Sequence, residues 1–308
     1  MKNLTLRQLR YVDALARARH FGHAAAACAI SQPALSMQIK DLEAGLGLPL
    51  FERRAREVRL TPLGETFAAR ARHILREVDE LADLARAAQD GLTGPLRLGV
   101  IPTIAPYLLP ALIPRLAAAY PRAEANFRET LTERLLDEVE AGRLDAAVVA
   151  LPVSEPGLEE RALFSEEFVL VRPEAEAGRA VPAAEDLARM RLLLLEEGHC
   201  FRDQALSFCH GSTGVPRDGL DGSALSTLVQ MVGAGIGVTL IPQLAVEVET
   251  RSAAVITQRF APPRPARTVG MIWRRSSPLS AHLEEISQVV RQAAETVLSR
   301  APKSAEET

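Results

Sequence analysis

The segment Gly91-Leu92-Thr93-Gly94-Pro95 divides this chain into two parts that follow different periodicities. Two glycines and a proline within five residues stop any helix that reaches them. Before the break, apolar residues recur at helical spacing. After it, short apolar runs alternate with helical patterns. At 308 residues the chain is too long for one ordinary core, so the break reads as a module boundary. The pattern predicts an α module followed by an α/β module with mainly parallel sheets.

Three short helices open the chain. Leu6, Leu9, Val12, Leu15 and Ala16 form the first stripe, and Phe21 through Ala27 the second helix. Ser31 caps the third, with Pro33 in its first turn where the missing N–H costs nothing. Leu35, Ile39, Leu42 and Leu46 face inward on it, so Pro33, Ser36, Met37 and Lys40 face outward, with Gln32 at the leading end. Short polar side chains at the exposed start of such a helix suit the major groove, where Gln pairs bidentately with adenine. A hairpin follows over 51–60, and its Arg53, Arg54, Arg56 and Arg59 suit phosphate contacts. From periodicity alone, a solvated helix and loop is an equal reading. Charge favours the nucleic-acid reading: residues 1–62 hold ten Lys and Arg against five Asp and Glu, leaving −8 on the remainder of a chain whose net charge is −3.

Thr61 and Pro62 then open a long helix. Phe67, Ile74 and Leu81 recur every seven residues, as do Ala71, Val78 and Ala85. This seam predicts helix–helix pairing between two chains, the alternative being that it packs on its own domain. Charges interrupt the first twenty residues, so no secretory signal is visible, and the uncharged run 222–246 is broken by glycines and Pro242 as helix, turn and strand. Three cysteines, an odd number, indicate a reducing compartment, hence the cytoplasm, where a disulfide is transient.

The chemistry gathers at Cys200 and Cys209. His199 and Arg202 are basic neighbours, and a helix starting after Cys200 adds a positive end; both favour thiolate, the form that attacks peroxides. Were 200–209 one helix, nine steps would separate the sulfurs by a rise of roughly 13 Å. A disulfide needs Cα atoms within about 7 Å, so bonding requires the segment to unwind. A zinc site from His199, Cys200, Cys209 and His210 has unusual spacing and awkward tetrahedral geometry. Cys28 reads as core filler, and Gly233-Ala234-Gly235-Ile236-Gly237 follows a helix and precedes a strand, the wrong order for a dinucleotide loop.

His20-Phe21-Gly22-His23-Ala24-Ala25, Ile30-Ser31-Gln32-Pro33-Ala34-Leu35-Ser36, Leu50-Phe51-Glu52-Arg53 and Thr61-Pro62-Leu63-Gly64 resemble the winged helix-turn-helix of LysR-type transcriptional regulators. Ile101-Pro102-Thr103, Pro106-Tyr107-Leu108-Leu109-Pro110, Glu197-Gly198-His199-Cys200, Arg202-Asp203-Gln204-Ala205, Phe208-Cys209 and Arg267-Thr268-Val269-Gly270 narrow the resemblance to the OxyR-type, hydrogen-peroxide-sensing members. It implies an α + α/β chain. A winged helix-turn-helix (1–61) and a linker or dimerisation helix (62–91) precede a two-subdomain α/β effector domain (92–300) similar to periplasmic solute-binding proteins, and a tail (301–308) follows. Subdomain I would span about 92–160 and 268–300, subdomain II about 161–267, with crossings near Glu160 and Arg267. Cys200 would be the peroxidatic and Cys209 the resolving cysteine. Thr103 and Thr132 would orient peroxide, and His199 and Arg267 would support the thiolate or the leaving hydroxide.

The resemblance further implies a non-enzymatic, mainly activating regulator without cofactor or metal. Its partners would be double-stranded DNA, RNA polymerase, hydrogen peroxide and thiol reductants such as glutaredoxin or thioredoxin, with no membrane. Homodimers or homotetramers would form. Residues 211–222 depart from the pattern, and Ser223-Ala224 stands where the family usually has Thr-Ser. Two rivals remain: a LysR-type regulator sensing a small molecule in its cleft, and a thiol peroxidase.

Overall fold

A computed structural model describes residues 4–54, 57–88, 91–187, 190–208 and 222–299. Arg56, Cys209 and residues 211–221 and 301–308 therefore lie outside the described residues. The chain divides into two compact units, Met1–Ala85 and Arg86–Thr308.

In the first unit, helices α1 (Leu6–Ala18), α2 (Phe21–Ala27) and α3 (Gln32–Leu46) precede a hairpin of β1 (Phe51–Arg54) and β2 (Glu57–Leu60) and the long α4 (Pro62–Ala87). Each start has a chemical cause. Thr5 and Gln8 form a reciprocal cap on α1, His20 Nδ1 accepts from Gly22 N at 3.1 Å, and Ser31 Oγ accepts from Ala34 N at 3.4 Å. Such caps contribute about 1 kcal/mol each. Glu43 Oε1 accepts from both Leu50 N and Phe51 N, at 2.8 and 2.9 Å, and so fixes the entry to the hairpin. Gly64 is required where α4 begins, because a Cβ there would sit 2.0 Å from Leu50 O. Leu9, Val12, Leu15, Ala24, Leu35, Ile39, Leu42, Leu50 and Phe51 make the core. Leu46 corrects the expected stripe: it is exposed, because the last turn of α3 runs past the three-helix core before ending at Gly47 in a left-handed conformation.

The predicted seam of α4 divides. Phe67 and Ala71 pack within their own chain, whereas Ile74 (42% exposed) and Leu81 (65%) stand open along its later turns, as does Leu84 (54%) outside the predicted seam.

The second unit runs β3 (Gly94–Val100), α5 (Ala105–Ala119), β4 (Ala123–Glu129), α6 (Thr132–Glu140), β5 (Ala146–Leu151), β6 (Leu158–Pro173), α7 (Ala184–Leu187), β7 (Leu192–Leu193), α8 (Cys200–Phe208), α9 (Leu225–Gly233), β8 (Val238–Pro242), α10 (Val246–Glu249), β9 (Val255–Arg259), β10 (Ala266–Arg274) and α11 (Ser280–Leu298). The strands lie in the order β4-β3-β5-β10-β6-β8-β7, with β9 also on β6. The expectation of mainly parallel sheets needs correction. Only β3–β4, β3–β5 and β7–β8 are parallel pairs among the described residues, and β10 runs antiparallel to both β5 and β6. The reason is connectivity: the chain leaves the first core on β6 and returns on β10, so these neighbours point opposite ways.

These crossing strands join two cores. One lies around β3, β5, β10, α5, α6 and α11; the other holds the second half of β6 with β7, β8, α8 and α9. Gly270 is required at the crossing, where a Cβ would meet Leu151 Cδ1 at 2.2 Å and Arg161 O at 2.8 Å. The ladder shifts register beside it, between Val269 and Gly270.

Candidate functional site: a cavity at Cys200

The last residues of β3 lead into Ile101-Pro102-Thr103, and α6 starts at Thr132. From the other core, Gly198 turns the chain with φ 95° into α8, whose first residue is Cys200. A Cβ on Gly198 would press on Leu131 at 3.1 Å, so glycine brings these elements close. Ile101, Pro102, Thr103, Leu131, Thr132, Gly198, His199, Cys200 and Phe201 line a cavity of ≈ 10 Å³. That is room for about one water-sized molecule. A metabolite site is far larger, roughly 300 Å³ or more.

The polar groups are specific. Thr103 is buried, and its Oγ1 accepts from Arg267 Nη1 at 2.8 Å. With a lone pair engaged by a cation, the hydroxyl hydrogen is left to donate. Thr132 Oγ1 is buried and makes no hydrogen bond. It does not cap its helix, because the cap position belongs to Leu131. An unsatisfied buried hydroxyl costs about 1–3 kcal/mol, so the Thr132 hydroxyl is free to bond a small polar molecule in the cavity. Burial pushes the His199 imidazole below its ordinary pKa, with the Glu196 carboxylate opposing, so the ring favours its neutral form. The first residues of both α6 and α8 wall the cavity, and helix starts stabilise negative charge that develops there.

Two expected neighbours sit elsewhere. Arg202 follows Cys200 by two positions, and its Nη1 donates to Leu195 O at 2.7 Å within the second core. Positions two apart on a helix face different ways. Arg267 stands behind the cavity lining: its buried guanidinium donates to Thr103, lies 5.3 Å from the Phe201 ring centroid and binds Glu166 at 2.7 Å.

Residues 6–65 match the family described as "Bacterial regulatory helix-turn-helix protein, lysR family", and 89–295 match "LysR substrate binding domain". A "Probable hydrogen peroxide-inducible genes activator" of Streptomyces viridosporus is 46% identical over 294 residues, 94% of each chain. A full-length OxyR cysteine variant from Pseudomonas aeruginosa superposes with TM-score 0.74 at 39% identity, covering 94% of this chain and 96% of that one. A Corynebacterium glutamicum OxyR variant, H2O2-bound, gives TM-score 0.67 at 34% identity over 97% and 95% of the two chains. The chain belongs to the LysR family, in its OxyR group.

In this OxyR-type chain, Gln32, Pro33 and Lys40 are exposed on α3, and Ser36 is half-buried there. Arg53 and Arg54 lie on β1 and Arg59 on β2. Cys28 is half-buried, and burial raises its thiol pKa.

Sequence reasoning missed Glu166. It is buried on β6, and its Oε1 accepts from Arg267 Nε at 2.8 Å while its Oε2 accepts from Leu244 N at 3.1 Å. The available signal was an acidic residue at the inward position between Phe164 and Phe168. Tyr107 was seen only as part of a motif. It comes from α5 into the second core and donates to Glu249 Oε1 at 2.7 Å, its own pKa raised by burial first and then by that carboxylate.

Proposed function

We propose that this chain is a cytoplasmic, mainly activating transcriptional regulator switched by hydrogen peroxide. The observation that carries the reading is the ≈ 10 Å³ cavity joining Cys200 to the donor Thr103 and the unpartnered Thr132 hydroxyl. The Cys200 thiolate attacks one peroxide oxygen. An S–O bond forms as the O–O bond breaks, giving a sulfenic acid. The departing hydroxide takes the proton lost by the thiol and leaves as water, with Thr103, Thr132 and His199 supplying hydrogen bonds and Arg267 acting from behind Thr103. The Cys209 thiol then condenses with the sulfenic acid, releasing a second water and forming a disulfide. Glutaredoxin or thioredoxin returns both thiols. The chain undergoes one such event per signal and is not an enzyme.

Residues 200–208 are helical, so the disulfide requires α8 to leave its present packing. The repacking changes the arrangement of subunits paired along Phe67, Ala71, Ile74, Val78, Leu81 and Ala85, in dimers and then tetramers. The spacing of two α3 helices on DNA changes with it. Gln32, Pro33, Ser36 and Lys40 read bases, and Arg53, Arg54, Arg56 and Arg59 hold phosphates. RNA polymerase is the downstream partner.

Transcript profiling in a host carrying Cys200→Ser tests the reading. Peroxide induction of the regulated genes is expected to vanish; induction that survives the substitution would return the ligand-sensing alternative.

A further inference from the structure

We propose that Glu166 is a positioning residue for peroxide reduction at Cys200, a role that rests on the peroxide-sensing reading above. Glu166 touches none of the reacting atoms. It acts through a chain of four groups spanning both cores. Leu244 N donates to Glu166 Oε2 at 3.1 Å; Arg267 Nε donates to Glu166 Oε1 at 2.8 Å; Arg267 Nη1 donates to Thr103 Oγ1 at 2.8 Å; and Thr103 walls the cavity. Arg267 Nη2 adds a bond to Thr103 O at 3.1 Å, so the guanidinium grips Thr103 at side chain and backbone together.

The chain has a direction. Guanidinium groups only donate, so Thr103 Oγ1 can only accept from Arg267, and its own hydrogen is turned away from the arginine. The guanidinium is planar and rigid, so its orientation fixes that of the hydroxyl. Glu166 sets the orientation, because its two oxygens engage Arg267 and the second core's backbone at once. The ion pair is buried, with side-chain exposures of 1% for Arg267 and 0% for Glu166, so water does not replace either partner. During reduction the S–O bond forms, the O–O bond breaks and the departing hydroxide becomes water with the thiol's proton. Glu166 exchanges neither proton nor electron. It holds the donor in line.

A structural brace would look the same in a static picture, so the test separates them. Reduced full-length chains carrying Glu166→Gln, Glu166→Asp, Thr103→Val or Glu166→Gln with Thr103→Val would be compared by rapid mixing with hydrogen peroxide. In parallel, Cys200 would be alkylated with iodoacetamide, a reaction that needs thiolate but no donor to a leaving oxygen. Glu166→Gln is expected to slow peroxide oxidation by about tenfold or more, the scale of a misplaced reacting group, while leaving alkylation within about twofold. On the Thr103→Val background it is expected to add less than about twofold, since both changes remove one interaction. Glu166→Asp keeps the buried charge balanced but retracts the carboxylate; it is expected to slow oxidation in the same selective way and carries the test if Glu166→Gln does not fold. Oxidation and alkylation slowed in equal proportion, or effects that multiply with Thr103→Val, would overturn the proposal. Normal oxidation in all Glu166 variants would overturn it alone. An unaltered chain whose Cys200 ignores peroxide would overturn the proposed function and this role with it.

Discussion

Helices α6 and α8 are the same length, nine residues each, and both present their first turn to the cavity at Cys200. They are held in different ways. α6 buries Leu135 and Val139 completely, receives Arg274 Nη1 on Val139 O at 2.7 Å near its end, and pairs Glu138 with Arg128 at 2.6 Å. α8 buries Phe201, Arg202 and Ala205, and is held by Arg202 on Leu195 O and by edge-on contacts of Phe201 with Phe168 and Phe208 with Phe260. Among the described residues, Thr132 rides on a helix anchored through Leu135, Val139 and Glu138, and the sulfur on one anchored through Phe201, Arg202, Ala205 and Phe208. A switch needs a constant surface for the chemistry and an element that leaves once the chemistry is done.

The largest effect that tests this contrast is on α6. Leu135→Ala should cost about 2–5 kcal/mol of unfolding free energy, read by denaturant melting, with the Cys200–Cys209 reduction potential unchanged. A shifted potential would show that α6 moves in the switch. Next, Thr132→Val removes an unsatisfied buried hydroxyl, so stability should hold or rise while peroxide oxidation slows by about tenfold or more. Rapid-mixing kinetics alongside thermal melts would check it, and lost stability with an unchanged rate would make Thr132 structural.

Arg202→Leu then tests α8. Losing the bond to Leu195 O weakens only the reduced form, by about 1–3 kcal/mol, so the disulfide gains in relative stability and the reduction potential falls by roughly 20–60 mV. Thiol-buffer titration would measure it. The smallest effect comes from His199, whose lowered pKa means the fold prefers the neutral ring. As pH falls through about 6.5 the unfolded chain takes up the proton first, so stability declines until the folded-state value is passed. His199→Gln should flatten that part of the pH–stability curve.

Much of this was legible in residue order. Ser31, Thr61 and Pro62 announce their helices because capping is local chemistry. The strand Ala146–Leu151 is legible because it is one of the short apolar runs that alternate with helical patterns after the break. The antiparallel crossing of β6 and β10 was not legible, since pairing direction depends on where a distant segment returns. The site divides along the same line. Cys200, His199, Thr103 and Thr132 do gather around one cavity. The placing of Arg202 and Arg267 was not readable, because a guanidinium goes where carboxylates and carbonyls await it, and Glu166 is 101 positions from Arg267 in sequence.

In the proposed switch, peroxide oxidises Cys200 and α8 gives way to let it bond Cys209. Its most direct test is to reduce the chain anaerobically, add one equivalent of hydrogen peroxide, alkylate the free thiols and map the peptides by mass. A Cys200–Cys209 disulfide formed within seconds, with Cys28 alkylated, is the predicted result. Cys200 and Cys209 both recovered as alkylated thiols would contradict the account.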